Sequence, residues 1–171
     1  MAKNDKPQPS ASVPQPSLNE RVSRALEDEG SRRPLAVKLN VRGGLPSRRY
    51  GFDFAASGDG AATCRVEDQL RKRAGASGTA RSTLSDKEFV SLLKKVQPAL
   101  DSPVETPAFL PDTVIGILEI SDGTATRRIY FAADPEQART QGKVPPREVL
   151  EAADAVYAAG ASLLGTRNIK P

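Results

Sequence analysis

The chain has no histidine, no tryptophan, one cysteine and one methionine among its 171 residues. Without histidine there are no His-based triads, no imidazole metal sites and no imidazole proton shuttles. The lone Cys64 can close neither an internal disulfide nor a cysteine-rich zinc site. No apolar run approaches the ~18 residues of a membrane-spanning helix, and residues 1–16 lack the apolar centre of a signal peptide. The expected address is therefore cytoplasmic, with no membrane, no metal and no cofactor. These absences suit a non-enzymatic binding protein better than an enzyme.

Large apolar residues are scarce at two places. Apart from alanine, residues 1–34 hold only Met1, Val13, Leu18, Val22 and Leu26, and residues 57–83 only Cys64, Val66 and Leu70. The rest is rich enough for one compact core. Charge is uneven too. The net +4 conceals nine basic and four acidic residues over 35–83, against ten basic and twelve acidic over 84–171. An acidic partner suits the first of these segments.

Residues 1–16, with Pro7, Pro9, Pro14 and Pro16, cannot bury enough surface to offset chain entropy. Ser17 to Glu29 is different, with a Ser17/Glu20 capping box and Leu18, Val22 and Leu26 at every fourth position. So narrow a stripe predicts a marginal helix that frays, docks weakly or recognises a partner. Leu35 to Val41 alternates as a half-buried strand, and Arg49 to Ala55 resumes the alternation with Tyr50, Phe52 and Phe54 on one face. Those aromatics read either as core or as a platform for stacking nucleic-acid bases. Ala62 to Glu67 is a weaker third strand, and 68–83 reads as an exposed, flexible basic loop.

The second half is clearer. Ser85 and Glu88 form a capping box, Phe89, Leu92, Leu93, Val96 and Leu100 trace one helical face, and Pro98 predicts a stop near Val96. Val114–Ile120 and Thr126–Phe131 flank Asp122-Gly123, a hairpin signal. Residues 133–145 read as a polar loop, and a helix runs from Pro145-Pro146 to about Leu164, with Gly165 as its stop. The pattern predicts an α+β domain over 35–165, a four- or five-stranded antiparallel sheet with two helices on one face. A proline-rich tail with a short amphipathic helix (1–34) precedes it, and a short tail (166–171) follows.

Candidate chemistry is thin. Asp53 and Glu119 sit on the polar strand face with no nucleophile or orienting partner beside them, and Cys64 reads as a small core residue. The basic set Arg65, Arg71, Lys72, Arg73 and Arg81 is a candidate nucleic-acid or general protein-interaction patch, its contacts expected to weaken with salt.

Three segments resemble the emfourins, small bacterial inhibitors of thermolysin-like zinc metallopeptidases such as protealysin. They are Val41-Arg42-Gly43-Gly44-Leu45 with the following Arg48-Arg49, Leu84-Ser85-Asp86-Lys87-Glu88 running into Leu92-Leu93, and Asp112 to Gly123 continued by Arg127-Arg128. Two departures stand out: Gly116 occupies a position where the family commonly has an aromatic, and 57–83 is longer than the usual connection. The resemblance implies a protein partner, a metallopeptidase, bound without catalysis. The candidate loop is Gly43, Gly44, Leu45, Pro46, Ser47 and Arg48, because paired glycines permit close backbone approach and Leu45 suits an apolar subsite.

Overall fold

A computed structural model describes residues 15–44, 49–68, 78–103, 108–165 and 169–170. Alternating sequence becomes strand where expected: β1 (Ala36–Gly43), β2 (Tyr50–Ser57), β3 (Ala61–Asp68), β5 (Ile115–Ser121) and β6 (Thr126–Ala132). A further strand, β4 (Gly78–Thr83), brings the antiparallel sheet to six strands in the order β4-β3-β2-β1-β5-β6. The four helices are α1 (Leu18–Glu27), α2 (Asp86–Val96), α3 (Pro135–Thr140) and α4 (Arg147–Leu164). The α+β class holds, with one strand more than the upper expectation.

The pleat sorts the sheet into an apolar face and a polar face. Val37, Leu39 and Val41 of β1, Phe52 and Phe54 of β2, Cys64 and Val66 of β3, and Leu118 and Ile120 of β5 are all buried. Burying one such Val, Leu or Phe side chain is worth ~1.5–3 kcal/mol, so this face decides the register. Helices α2 and α4 cover it through Phe89, Leu92, Leu93, Val149, Val156 and Tyr157. Tyr157 packs on Phe52 with ring centroids 4.8 Å apart. Tyr50, Phe52 and Phe54 are thus core, which removes the stacking-platform reading.

Three differences from the sequence expectations, and the choice left open for α1, have physical causes. Residues 78–83 form a strand rather than part of a flexible loop. Their side chains are small or polar and mostly exposed, and what holds them is the backbone ladder to β3, Ala61↔Thr83 through Val66↔Gly78. Residues 69–77 of that expected loop lie outside the described residues. Helix α1 is docked, with Val22 and Ala25 buried, because Asn19 and Ser23 bond Asp101 and Gln97 and because Arg32 clasps its last turn. The supposed loop 133–145 contains α3, capped by Asp134, whose carboxylate accepts from the N–H groups of Glu136 and Gln137. Within the expected tail 166–171, Ile169 is buried and its carbonyl accepts the Tyr50 hydroxyl.

Where the pattern was strong, the boundaries agree. The α2 capping box forms, the helix gives way to a 3-10 turn (Gln97–Asp101) carrying Pro98, and Gly165 ends α4 in the left-handed region. Gly116 is fixed by its cross-strand neighbour. A Cβ built there would lie 2.3–2.8 Å from the ring of Phe131, its cross-strand neighbour. The ring of β6 lies against the bare backbone of β5 at that position.

Candidate functional site

Strand β1 ends on two glycines with positive φ, Gly43 at 146° and Gly44 at 94°. A Cβ on Gly43 would lie 2.4 Å from the carbonyl oxygen of Thr113 and 2.7 Å from Cα of Val114. Glycine is needed there for space as well as for angle. The 112–114 segment is itself held. Gln137 of α3 donates to the Asp112 carbonyl at 3.1 Å and accepts from the Val114 N–H at 2.8 Å, while Gln141 donates to the Thr113 hydroxyl at 2.7 Å. The corner at Gly43-Gly44 is thus braced from behind. Of the candidate loop, Gly43 and Gly44 are placed in this way, whereas Leu45, Pro46, Ser47 and Arg48 lie outside the described residues.

The polar sheet face flanks this corner. Arg42 donates to the carbonyls of Val41 and Phe52 and pairs with Asp53. Two strands away, Glu119 pairs with Arg128 at 2.7 Å and Lys38 at 3.2 Å. The hydrogen bond from Arg128 leads in holding the Glu119 carboxyl below its ordinary range. Asp53 and Glu119 are separated by β1 and are each ion-paired, so they form no acid–base couple. Cys64 is buried, and burial, followed by the charge of Asp53, pushes its thiol up to about 11. It is a core residue with no thiolate at neutral pH.

Of the basic set, Arg65 and Arg81 lie on the polar face of β3 and β4, both exposed, with Arg81 opposite Thr63 and Arg65 opposite Thr79. Arg71, Lys72 and Arg73 lie outside the described residues. Among the described residues no cluster of three or more Cys, Asp or Glu side chains is arranged to hold a metal ion, and no helix is long and apolar enough to cross a membrane.

Neither protein-family models nor curated proteins match this chain. The surface itself is therefore the guide to function.

One feature of that surface was not visible in the sequence. A cleft of about 300 Å³ is lined by residues 129–132 of β6, an edge strand of the sheet, together with Ser102, Phe109, Lys143, Val144 and Pro146 among others. The three large apolar side chains exposed among the described residues are Leu110 at 61%, Val144 at 61% and Leu150 at 38%. Val144 lines the cleft, and Leu110 and Leu150 each follow a lining residue in the chain. The segments that make this cleft are far apart in sequence, and none is periodic. The run Val144-Pro145-Pro146, apolar but without helix or strand pattern, was the one available signal.

Proposed function

We propose that this protein is a non-enzymatic inhibitor of a thermolysin-like zinc metallopeptidase, presenting the connection between β1 and β2 to the target's cleft. The observation that supports this reading is the braced glycine corner. Inhibition of this kind needs no reacting group; it needs a loop whose ends are already fixed, so that little ordering entropy is lost on binding. Gly43 backed against Thr113 and Val114 fixes one end. Tyr50, buried and bonded to Ile169, fixes the other. Between them the sequence supplies Leu45 for an apolar subsite and Arg48-Arg49 beside it.

The test is direct. Purified protein mixed with a thermolysin-like peptidase at equal concentration should suppress peptide hydrolysis, and Leu45→Glu should relieve the inhibition without lowering the melting temperature. Undiminished hydrolysis at stoichiometric excess over a panel of such peptidases rejects the reading.

A second reading, nucleic-acid binding through the basic 65–81 region, is favoured by exposed Arg65 and Arg81 on a sheet face free of covering helices. Tyr50, Phe52 and Phe54 are buried and give it no stacking platform. Retention on single-stranded DNA that falls steeply with salt, and less steeply in Arg65→Ala/Arg81→Ala, would support it.

A further inference from the structure

The cleft beside β6 joins an apolar interior to polar main-chain groups that have no partner among the described residues. Buried Ile129, Phe131 and Val149 line it, together with the partly exposed Phe109. The main-chain groups come from the edge strand. The Ala133 N–H donates to the Val114 carbonyl at 2.8 Å, and the Asp122 N–H to the Ala125 carbonyl at 3.2 Å. Those bonds make the odd-numbered residues of β6 the hydrogen-bonded partners of β5. The N–H and C=O groups of Tyr130 and Ala132 therefore point away from β5. Both residues line the cleft, and among the described residues nothing bonds these groups. Ala132 is only 2% exposed. A main-chain donor so covered costs free energy until it meets an acceptor.

Charge narrows the class of occupant. Lys143 lines the same cleft, its ammonium 5.3 Å from the centre of the Phe109 ring, and it pairs with no carboxylate among the described residues. A cation over an aromatic face keeps its charge. Arg127 brings a second cation to Ser102, another lining residue, by donating to its carbonyl. The Arg127 Nε is buried and has no acceptor among the described residues. Glu148 is engaged by the Ser102 hydroxyl at 3.2 Å. Arg128 lies on the polar face of the sheet, held by Glu119, and takes no part. Size narrows the class further. A volume of about 300 Å³ is the small end of the ~300–1,000 Å³ of small-molecule sites, which suits a compact organic molecule and not a folded partner.

We propose that this cleft binds a small organic anion, an apolar ring or short alkyl body carrying a single carboxylate. The apolar walls take the body, Lys143 the charge, and the Ala132 N–H an oxygen of the ligand. The site is separate from the β1–β2 connection and does not depend on the metallopeptidase reading.

The probe is naphthylacetate, with neutral naphthylacetamide and cationic naphthylmethylamine as counterparts, each titrated into the intact 15N-labelled protein. Naphthylacetate should shift the amide resonances of Tyr130, Ala132, Lys143 and Val144 in a saturable way. The amide should shift the same resonances but bind about fivefold more weakly, the upper scale of an exposed ion pair, and the amine should not bind. Lys143→Gln should bring naphthylacetate down to the affinity of the amide and leave the amide unchanged. Arg128→Gln, on the polar face of the sheet, should change neither. Four outcomes overturn the proposal: no shift with millimolar naphthylacetate, equal binding of acetate and amide by the parent, a preference for the acetate that survives Lys143→Gln or is lost in Arg128→Gln, or shifts confined to another surface such as the groove between α2 and α4.

Discussion

Arg32 joins the end of one helix to the start of another: its guanidinium donates to both carboxylate oxygens of Asp86 at 2.6 Å, while its Nε donates to the Ala25 carbonyl at 2.5 Å. A second terminal nitrogen reaches the Leu26 carbonyl at 3.3 Å. The positive charge therefore meets the carbonyl end of α1 and an acidic residue in the first turn of α2, both placements that helix dipoles favour. Arg32 is 7% exposed, so the alternative to these bonds is a buried cation without partners.

Removing that side chain should therefore cost more than removing its carboxylate. Arg32→Leu is expected to destabilise by about 2 kcal/mol, because it leaves carbonyls of α1 unsatisfied. Asp86→Asn should cost less, since Asp86 is half exposed and the bonds to α1 survive. Urea midpoints of the two variants check the order, and equal losses would show that the pair acts only through charge.

Asp122 gives the stability of the chain a dependence on acid. Burial alone would raise its pKa, but bonds from the Ala125 and Thr124 N–H groups and the Thr124 hydroxyl, with the charge of Arg21, hold it below its ordinary 3.8. A carboxylate lowered in the folded state contributes stability that is complete above its unfolded pKa and is lost as pH falls through the lower folded value. Asp122→Asn should thus be less stable than the parent at pH 6, with the gap narrowing toward pH 3. Chemical denaturation at the two pH values measures it; a constant gap means that Asp122 acts without its charge.

Cys64 should report unfolding. With its thiol pushed up to about 11 and its side chain buried, it should react with a disulfide reagent at neutral pH only as fast as the sheet opens. Full reactivity should appear at once in denaturant. Rapid labelling of the native protein would mean that β3 opens locally.

Gly116→Ala should destabilise by roughly 1–3 kcal/mol, the usual cost of forcing atoms into a filled space. The displaced group is the Phe131 ring, so thermal melting should report the loss and near-ultraviolet circular dichroism the changed ring environment. An unchanged melting temperature would show that the ring moves aside freely.

Elements that announce themselves by side-chain period were legible from sequence: β1 through Leu35, Val37, Leu39 and Val41, α2 through its capping box, and the hairpin through Asp122-Gly123. Elements held by other means were not. The inward positions of β4 are Gly78, Ala80 and Ser82, which carry no apolar period, and the strand persists because β3 supplies hydrogen bonds. Helix α3 is too short to show a stripe, and Asp134-Pro135 at its start is its one local signal. The same division applies to function. Paired glycines mark the β1–β2 corner in the bare sequence, whereas the β6 cleft is assembled from segments around 102, 130 and 145, and only the chain trace brings them together.

One short helix stands between the two surfaces. Through Gln137 and the capping residue Gln141, α3 props the 112–114 segment on which Gly43 rests, and it leads directly into residues 142–146, which line the cleft. Gln137 inside the helix and Gln141 at its C-terminal cap hold the segment behind Gly43, so unwinding these two turns of chain would loosen the glycine corner without touching it.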